Sequence, residues 1–303
     1  NEKNFSLKVL YRDESGNTQN INVISDNGKK KIEKNGKKIQ DRKELINTIP
    51  CVLFCHEDLA FAVGEPERRR FFIDQSLSMY DVLYLDVLRR YKKILKSRNL
   101  ILKEHTYEML PVYNAQLIEN GLIIQKKRKD MIFQFNQVFK KLYEEISGIS
   151  NVSILYEPSW KEIDDEVGKH FPTADEITAL LQSKQEQDKI METTLSGPHR
   201  DRIRFIKDGT HFIPSASMGQ RRLISLLLRT SQAVFYTKVT GKKPVLLMDD
   251  VMLELDPDKR QKLTAVLPEY DQMFCTFLPG EPYERYMHNK TRVYFIKGGV
   301  WNE

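Results

Sequence analysis

The stretch Val-Leu-Leu-Met-Asp-Asp at residues 245–250 places four apolar residues directly before two carboxylates. A short, continuous apolar run is typical of a strand that is buried on both faces of a parallel sheet, so it predicts an α/β fold. At the carboxyl end of such a strand, Asp249 can hold Mg²⁺ and Asp250 can orient and deprotonate an attacking water, which is the Walker B arrangement. Acidic residues also end strands for purely structural reasons, so the stretch alone leaves both interpretations open.

A second stretch, Ser217-Met218-Gly219-Gln220, stands at the predicted start of a long apolar helix. Ser followed three residues later by Gln is the pattern of a capping box, in which the two side chains bond backbone N–H groups. The same stretch offers a hydroxyl, a glycine without Cβ and exposed N–H groups, which together suit a phosphate. Taken alone, this stretch is compatible with either role.

The order of these features along the chain favours the functional interpretation. Signature helix, Walker B strand, D-loop and switch strand follow one another in ABC-type ATPases. Four features of this chain occur in that order, namely Ser217-x-Gly219-Gln220, residues 245–250, Glu254-Leu255-Asp256 and a strand ending at Thr276. Chance agreement of four features in sequence is small, so the order indicates an ABC-type ATPase.

The chain also resembles the bacterial RecF family of recombinational repair, which consists of SMC-like ABC ATPases. The stretches that carry this resemblance span most of the chain. They are Val52-Leu53-Phe54 with Glu57-Asp58-Leu59, Pro66-Glu67-Arg68-Arg69-Arg70-Phe71 ending in Asp74, Tyr91-x-x-x-Leu95-x-x-Arg98-Asn99, Ser196-Gly197-Pro198-His199-Arg200-Asp201, Ser215-Ala216-Ser217-Met218-Gly219-Gln220-Arg221-Arg222, and Leu247-Met248-Asp249-Asp250-Val251 with Glu254-Leu255-Asp256.

This resemblance implies an α/β architecture in which an ABC-type, SMC- and RecF-like ATPase lobe is interrupted by a helical arm. The lobe is expected over residues 1–60 and 194–303, and the arm over residues 61–193. The implied cofactors are ATP and Mg²⁺. The implied partners are DNA at gaps or junctions of single and double strands, RecR, RecO and a second copy of the chain bound in the presence of ATP, all in the cytoplasm.

Site roles also follow from the resemblance. Asp249 would hold Mg²⁺ and Asp250 would be the general base. Thr276 stands where many ABC ATPases place a switch histidine. The remaining site residues would serve ATP held by the partner copy or order the dimer interface, and they are Ser217, Gly219, Gln220 and Asp256.

The chain departs from the family in one important respect. No segment matches the phosphate-binding loop G-x-x-x-x-G-K-[ST]. Because the chain begins at Asn1 with a predicted strand that should follow that loop, we expect the loop to precede Asn1. The chain as printed is therefore expected to bind ATP poorly, whereas the intact protein would be a weak, DNA-stimulated ATPase. A non-catalytic DNA-binding or scaffold fragment and another SMC-like ATPase are the alternatives.

Composition limits the other classes of function. The chain has 303 residues with a formal net charge of +6, which makes an anionic partner plausible, and it has three cysteines, which suits a reducing compartment. Roughly 20 consecutive apolar residues would be needed to span a bilayer, and no such run occurs. Cys51, Cys55 and His56 fit two buried thiols on a strand better than a metal site, because closed zinc sites need four ligands.

Periodicity predicts the remaining elements. An antiparallel sheet opens the chain, two long helices form a hairpin between Met79 and Ile146, and one further helix and one hairpin precede the Walker B strand. The predicted bounds are 5–11 and 20–25 for the opening strands, 173–190 for the further helix, 203–206 and 211–213 for the hairpin, and 273–276 and 292–296 for two strands that complete the parallel sheet.

Three groups of basic residues are open to two interpretations each. Lys126 to Lys129 form a solvated helix face or follow a phosphate backbone. Arg68 to Arg70 pair with Glu65, Glu67 and Asp74, which is the favoured interpretation, or bind phosphate. His199 and Arg200 sense phosphate, or they belong to a structural turn in which Arg200 pairs with Asp201.

Overall fold

A computed structural model describes residues 4–13, 15–46, 48–165, 168–251, 255–281, 283–287 and 289–302. The strands are β1 (Phe5–Arg12), β2 (Thr18–Asp26), β3 (Lys29–Lys34), β4 (Lys37–Lys38), β5 (Cys51–Phe54), β6 (Val152–Glu157), β7 (Ile163–Asp165), β8 (Gly168–His170), β9 (Arg202–Lys207), β10 (Thr210–His211), β11 (Val245–Met248), β12 (Gln272–Cys275), β13 (Phe295–Lys297) and β14 (Val300–Asn302). The helices are α1 (Leu59–Val63), α2 (Pro66–Ser78), α3 (Val82–Lys103), α4 (Leu110–Ser147), α5 (Ala174–Ser183), α6 (Gln185–Ile190), α7 (Met218–Thr240) and α8 (Pro257–Ala265).

The opening segment is an antiparallel sheet in the order β1-β2-β3-β4, as predicted. Its last two turns are Asn-Gly pairs, with φ of 48° and 80° at Asn27 and Gly28 and of 51° and 77° at Asn35 and Gly36. Two consecutive residues with positive φ form the turn whose twist matches that of the flanking strands. The turn chemistry thus explains the tight hairpins in this segment.

The Walker B stretch forms the central strand of a parallel sheet in the order β12-β11-β5. Val52, Phe54, Leu246 and Met248 are all at most 3% exposed. Because side chains alternate along a strand, Cys51 and Leu53 face the other side of the sheet and are exposed. The prediction of two buried thiols on a strand is therefore wrong for Cys51. Cys55 lies just after β5 and is half-buried.

Two long helices form the predicted hairpin. Asp81 begins α3 by accepting a hydrogen bond from the N–H of Tyr84 (2.9 Å), and Gly148 ends α4 in the left-handed region at φ 71°. The helix predicted over residues 173–190 is instead two helices, α5 and α6, which are separated at Lys184.

A second antiparallel sheet has the order β10-β9-β6 and contains the predicted hairpin. The predicted closing strand at residues 292–296 is wrong. Within the described residues, β13 pairs with β14 rather than with the parallel sheet. Positive φ at Gly298 and Gly299 turns the chain back on itself, so the hydrogen bonds of β13 go to its own hairpin.

The core joins the sheets to the helices. Phe135 on α4 contacts Phe72 on α2 and Phe235 on α7, with ring centroids 6.1 and 5.6 Å apart. The division into a lobe (1–60 and 194–303) and an arm (61–193) stays a prediction. Across the described part of the chain, every helix is too short or too polar to traverse a lipid bilayer.

Candidate functional site

The start of α7 contains the predicted capping box. The hydroxyl oxygen of Ser217 accepts a hydrogen bond from the N–H of Gln220 (3.3 Å), and the amide oxygen of Gln220 accepts one from the N–H of Ser217 (2.7 Å). Helix geometry leaves the N–H groups of Met218 and Gly219 without partners inside the helix. Ser217 and Gly219 are exposed, and a Cβ built on Gly219 would meet nothing within 4 Å. The cap therefore does not consume the donors that a phosphate would need.

Asp249 and Asp250, the acid pair, lie at the carboxyl end of the parallel sheet. The N–H of Asp249 donates to the carbonyl oxygen of Phe54 on one neighbouring strand (2.9 Å). The N–H of Thr276 donates to the carbonyl oxygen of Met248 from the other side (2.9 Å). Pairing with both neighbouring strands thus fixes where the acid pair begins.

Thr276 holds the two acids together. Its hydroxyl oxygen accepts the N–H of Asp250 (2.9 Å) and lies 2.9 Å from Oδ1 of Asp249 and 3.0 Å from Oδ1 of Asp250. Since the hydroxyl has one proton, it donates to one carboxylate at a time. Asp250 has φ of 54°, a left-handed conformation that is uncommon outside glycine and that clusters at functional sites. The hydrogen bond from its N–H stabilises that conformation.

Asp256 begins α8. Its Oδ1 accepts the N–H of Lys259 (2.9 Å), and its Oδ2 pairs with the ammonium of Lys259 (2.6 Å). The hydrogen bond from the Lys259 side chain holds the pKa of Asp256 below its usual value. The structure therefore gives Asp256 the role of a helix cap. Glu254, which belongs to the same predicted D-loop, lies outside the described residues.

The two parts of the candidate site are held separately. Among the described contacts, no hydrogen bond or ion pair joins Ser217 to Asp249 or Asp250. The first turn of α7 contacts the chain just after β5, where the guanidinium of Arg222 donates to the carbonyl oxygen of His56 (3.2 Å). Ser217, Gly219, Asp249 and Asp250 are all exposed, so each part is open to solvent.

A buried ion pair beneath α7 was not predicted. Arg229 donates to Oδ1 of Asp58 through Nε (3.1 Å) and Nη2 (2.8 Å), and both residues are at most 6% exposed. Its Nη1 donates to the amide oxygens of Gln75 and Gln232. An arginine inside an apolar helix run was the available signal, because a buried charge requires a partner. This pair ties α7 to the segment after β5.

A second buried network centres on Arg128 of α4, which is 3% exposed. Its Nε and Nη2 donate to the two carboxylate oxygens of Asp74 (2.9 Å each), and its Nη1 donates to Oδ2 of Asp201 (2.8 Å) and to the carbonyl oxygen of Pro198 (2.7 Å). Two of the stretches that resemble the RecF family thus meet at one guanidinium.

This network corrects the favoured interpretation of Arg68 to Arg70. Asp74 pairs with Arg128, because the buried guanidinium offers it two parallel hydrogen bonds. Arg69 and Arg70 instead donate to backbone carbonyl oxygens, namely those of Ala62 (3.1 Å) and Gly64 (2.8 Å) for Arg69 and that of Asp201 (2.8 Å) for Arg70.

The pair of Arg200 with Asp201, which belonged to the structural-turn interpretation, is absent from the described contacts, since Asp201 pairs with Arg128. Arg200 donates to the carbonyl oxygen of Thr194 (3.3 Å). His199 donates from Nε2 to the same carbonyl (3.0 Å), so its Nδ1 accepts the hydroxyl of Tyr91 (2.8 Å). Burial lowers the pKa of His199 to about 4, so the ring is neutral at pH 7.

The stretch from Lys126 to Lys129 does not form one face. Arg128 points into the core, Lys127 pairs with Asp81 (2.8 Å) and Lys129 pairs with Glu162. Arg128 therefore belongs neither to a solvated helix face nor to a surface that follows a phosphate backbone. At 3.6 residues per turn, one residue of a run of four on a helix can face the core.

Comparison with known proteins gives a consistent result. The chain is 50% identical over 299 residues to the DNA replication and repair protein RecF of Treponema pallidum (strain Nichols), covering 99% of this chain and 82% of that protein. It is 32% identical over 302 residues to the RecF of Clostridium perfringens (strain SM101), covering 98% of this chain and 81% of that protein. A scan against protein-family models finds no match.

Solved structures agree with this result. The structure of the recombination mediator protein RecF-ATP in the RecFOR pathway superposes with a TM-score of 0.82 at 27% identity, covering 99% of this chain and 80% of that one. The corresponding RecF-ATPrS structure gives a TM-score of 0.78 over 92% of this chain and 76% of that one. The α/β fold is therefore that of the RecF-type ABC ATPases, and this chain belongs to the RecF family of DNA replication and repair proteins.

Proposed function

We propose that two copies of this protein close around ATP on gapped DNA, and that the start of α7 in one copy contacts the γ-phosphate of ATP held by the other. RecO and RecR are the proposed protein partners, and the cytoplasm is the proposed compartment because DNA is the proposed ligand. Support comes from relatives named for DNA replication and repair and from a structural neighbour described as RecF-ATP of the RecFOR pathway.

The observation that carries this proposal is the open start of α7. Two N–H groups without partners inside the helix lie beside exposed Ser217 and Gly219 at the positive end of a helix of 23 residues. These are the features of an anion site at a helix start. Ser217, Gly219 and Gln220 are therefore assigned to phosphate contact, and Asp256 is assigned to ordering the dimer interface.

The acid pair is assigned to the chemistry. The carboxylates of Asp249 and Asp250 and the hydroxyl of Thr276 are oxygen donors, which are the ligands that suit Mg²⁺. Asp249 would hold the ion, which when bound neutralises charge on the phosphates. Asp250 would accept the proton of the attacking water, and Thr276 would keep its carboxylate in place.

Charge at residue 217 tests the proposal. Asp, Asn and Ser cap helices about equally well, so Ser217→Asp preserves the cap while it places a negative charge against the incoming phosphate. In the protein expressed from its complete gene, we expect Ser217→Asp to lose the ATP-dependent gain in affinity for gapped DNA, and Ser217→Asn to retain it. Fluorescence anisotropy with and without ATP measures both. If only the cap matters, the two variants bind DNA equally.

Removal of the Thr276 hydroxyl tests its positioning role. Thr276→Val keeps the shape of the side chain but loses the hydrogen bonds to the acid pair, whereas Thr276→Ser keeps the hydroxyl. By analogy with residues that orient metal ligands, we expect Thr276→Val to lower the single-turnover rate of ATP hydrolysis about 10–100-fold. Thr276→Ser should remain near the parent rate. Equal rates of ATP hydrolysis for Thr276→Val and Thr276→Ser would show that the Thr276 hydroxyl does not position the acid pair.

A further inference from the structure

A cleft of about 960 Å³ lies between the start of α2, the end of β6 and β9, and its lining includes neither the acid pair nor the start of α7. We call it the arginine cleft and define it by its basic lining residues. They are Arg70, Lys161, Lys169, Arg200, Arg202 and Arg204.

The carboxylates of this cleft neutralise only part of its positive charge. Glu157 pairs with Arg204 (2.8 Å), and Glu162 pairs with Lys169 (3.2 Å) and also with Lys129. Glu65 and Glu67 lie at the start of α2, where the positive end of the helix dipole stabilises negative charge. Within the residues that the structure describes, the four cations without an ion pair are Arg70, Lys161, Arg200 and Arg202.

Backbone carbonyls hold two of these arginines without neutralising them. Arg70 donates from Nη1 to the carbonyl oxygen of Asp201 (2.8 Å), and Arg200 donates from Nε and Nη2 to the carbonyl oxygen of Thr194 (3.3 Å). A carbonyl orients a guanidinium but brings no formal charge. The cleft therefore presents fixed cations whose remaining N–H groups are free for an outside anion.

Arg69, which precedes Arg70 in α2, is also bound to two carbonyl oxygens. Burial lowers the pKa of both Arg69 and Arg70. Repulsion from neighbouring arginines adds to this effect, whereas nearby carboxylates, such as Glu65 for Arg69 and Glu67 for Arg70, act against it. An anion with several charges relieves such repulsion, and phosphates match the planar donor fork of arginine.

We infer that the arginine cleft binds the phosphodiester backbone of a DNA strand at a site distinct from the ATP site. This inference rests on the proposed function in that DNA is the partner. The cleft draws its unpaired cations from α2, from the segment after β6 and from the chain at β9, so they face an extended ligand rather than one phosphate. No base readout follows, because the cations contact charge alone.

The test measures DNA binding without nucleotide, which separates it from ATP-dependent closure. Arg202 and Lys161 are exposed and have no ion pair in the described structure, so Arg202→Gln with Lys161→Gln should fold normally. Lys140→Gln with Lys141→Gln on α4 is the matched control, since it removes the same charge from exposed positions elsewhere. Anisotropy of a fluorescent gapped oligonucleotide over a salt series gives the affinity and its salt dependence.

We expect the cleft variant to bind more weakly and its log–log salt slope to fall by about two, one per lost phosphate contact, while the control keeps the parent slope. An unchanged slope in the cleft variant, or an equal fall in the control, would overturn the inference. Absence of nucleotide-free binding in the parent would overturn it too. Competition by millimolar inorganic phosphate or mononucleotide, seen in the parent but not in the cleft variant, would instead assign the cleft to a free phosphate compound.

The parent could bind DNA without nucleotide and show no increase in affinity when ATP is added. That result would reject the proposed ATP-dependent closure of two copies but not the DNA site in the arginine cleft. The reverse pattern, ATP-dependent binding with a cleft variant identical to the parent, rejects the cleft alone.

Discussion

Asp250→Asn is expected to retain ATP binding and to stop hydrolysis in the protein expressed from its complete gene. Asn tolerates the left-handed φ of 54° nearly as well as Asp does, and its N–H still reaches the hydroxyl of Thr276. The backbone should therefore be unchanged while the proton acceptor is lost. Loss of a general base lowers the rate by about 10²–10⁴, which single-turnover hydrolysis measures directly.

Asp249→Asn is the matched comparison, because it changes the neighbouring carboxylate by the same chemistry. We expect it to weaken Mg²⁺ binding and thus both nucleotide affinity and turnover. If the two variants lose nucleotide equally, or if Asp250→Asn hydrolyses ATP at the parent rate, the assignment of base and metal ligand is wrong. The acids would then be ordinary strand-end residues.

Asp201→Ala is expected to lower the free energy of unfolding by about 3–5 kcal/mol, because several buried donors lose their acceptor at about 1–3 kcal/mol each. The charge of Arg128 itself stays compensated by Asp74. Asp201 is fully buried and also accepts hydrogen bonds from Gln125 (2.6 Å) and Tyr156 (2.6 Å), all of which would lose their acceptor. Urea unfolding followed by circular dichroism measures the change.

Asp130→Ala on α4 is the control for that experiment, since Asp130 is exposed two residues from Arg128 and alanine suits a helix. Its effect should stay within about 0.5 kcal/mol. Similar losses of stability in both variants would show that the network around Arg128 contributes little beyond an ordinary surface carboxylate.

Features that depend on neighbours in sequence were predictable. The apolar run at 245–248 correctly predicts a strand of the parallel sheet, but the predicted burial on both faces is wrong. Leu246 and Met248 are buried, whereas Val245 and Leu247 are half-buried. The Asn-Gly pair at Asn35 marks a tight turn because few residues tolerate positive φ. The capping box at Ser217 was recognised because its two members are three residues apart.

Partners distant in sequence were not predictable. Asp74 lies 54 residues from Arg128, and arginines adjacent to Asp74 in sequence offered a nearer but incorrect partner. Thr276 lies 26 residues from Asp250, so neither its hydrogen bonds nor the left-handed φ of Asp250 can be read from a strand pattern. In both cases the partners are brought together by tertiary packing, which a local sequence pattern does not show.

Closure of two copies on ATP through the start of α7 can be measured as a change in mass. The most direct measurement is the molar mass of the protein expressed from its complete gene, obtained by sedimentation equilibrium with and without Mg-ATP, for the parent, Ser217→Asn and Ser217→Asp. We expect ATP-dependent dimers for the parent and the Asn variant, and monomers for the Asp variant that still bind ATP. An Asp variant that dimerises as the parent does, or a parent whose mass ATP leaves unchanged, would contradict the proposed closure.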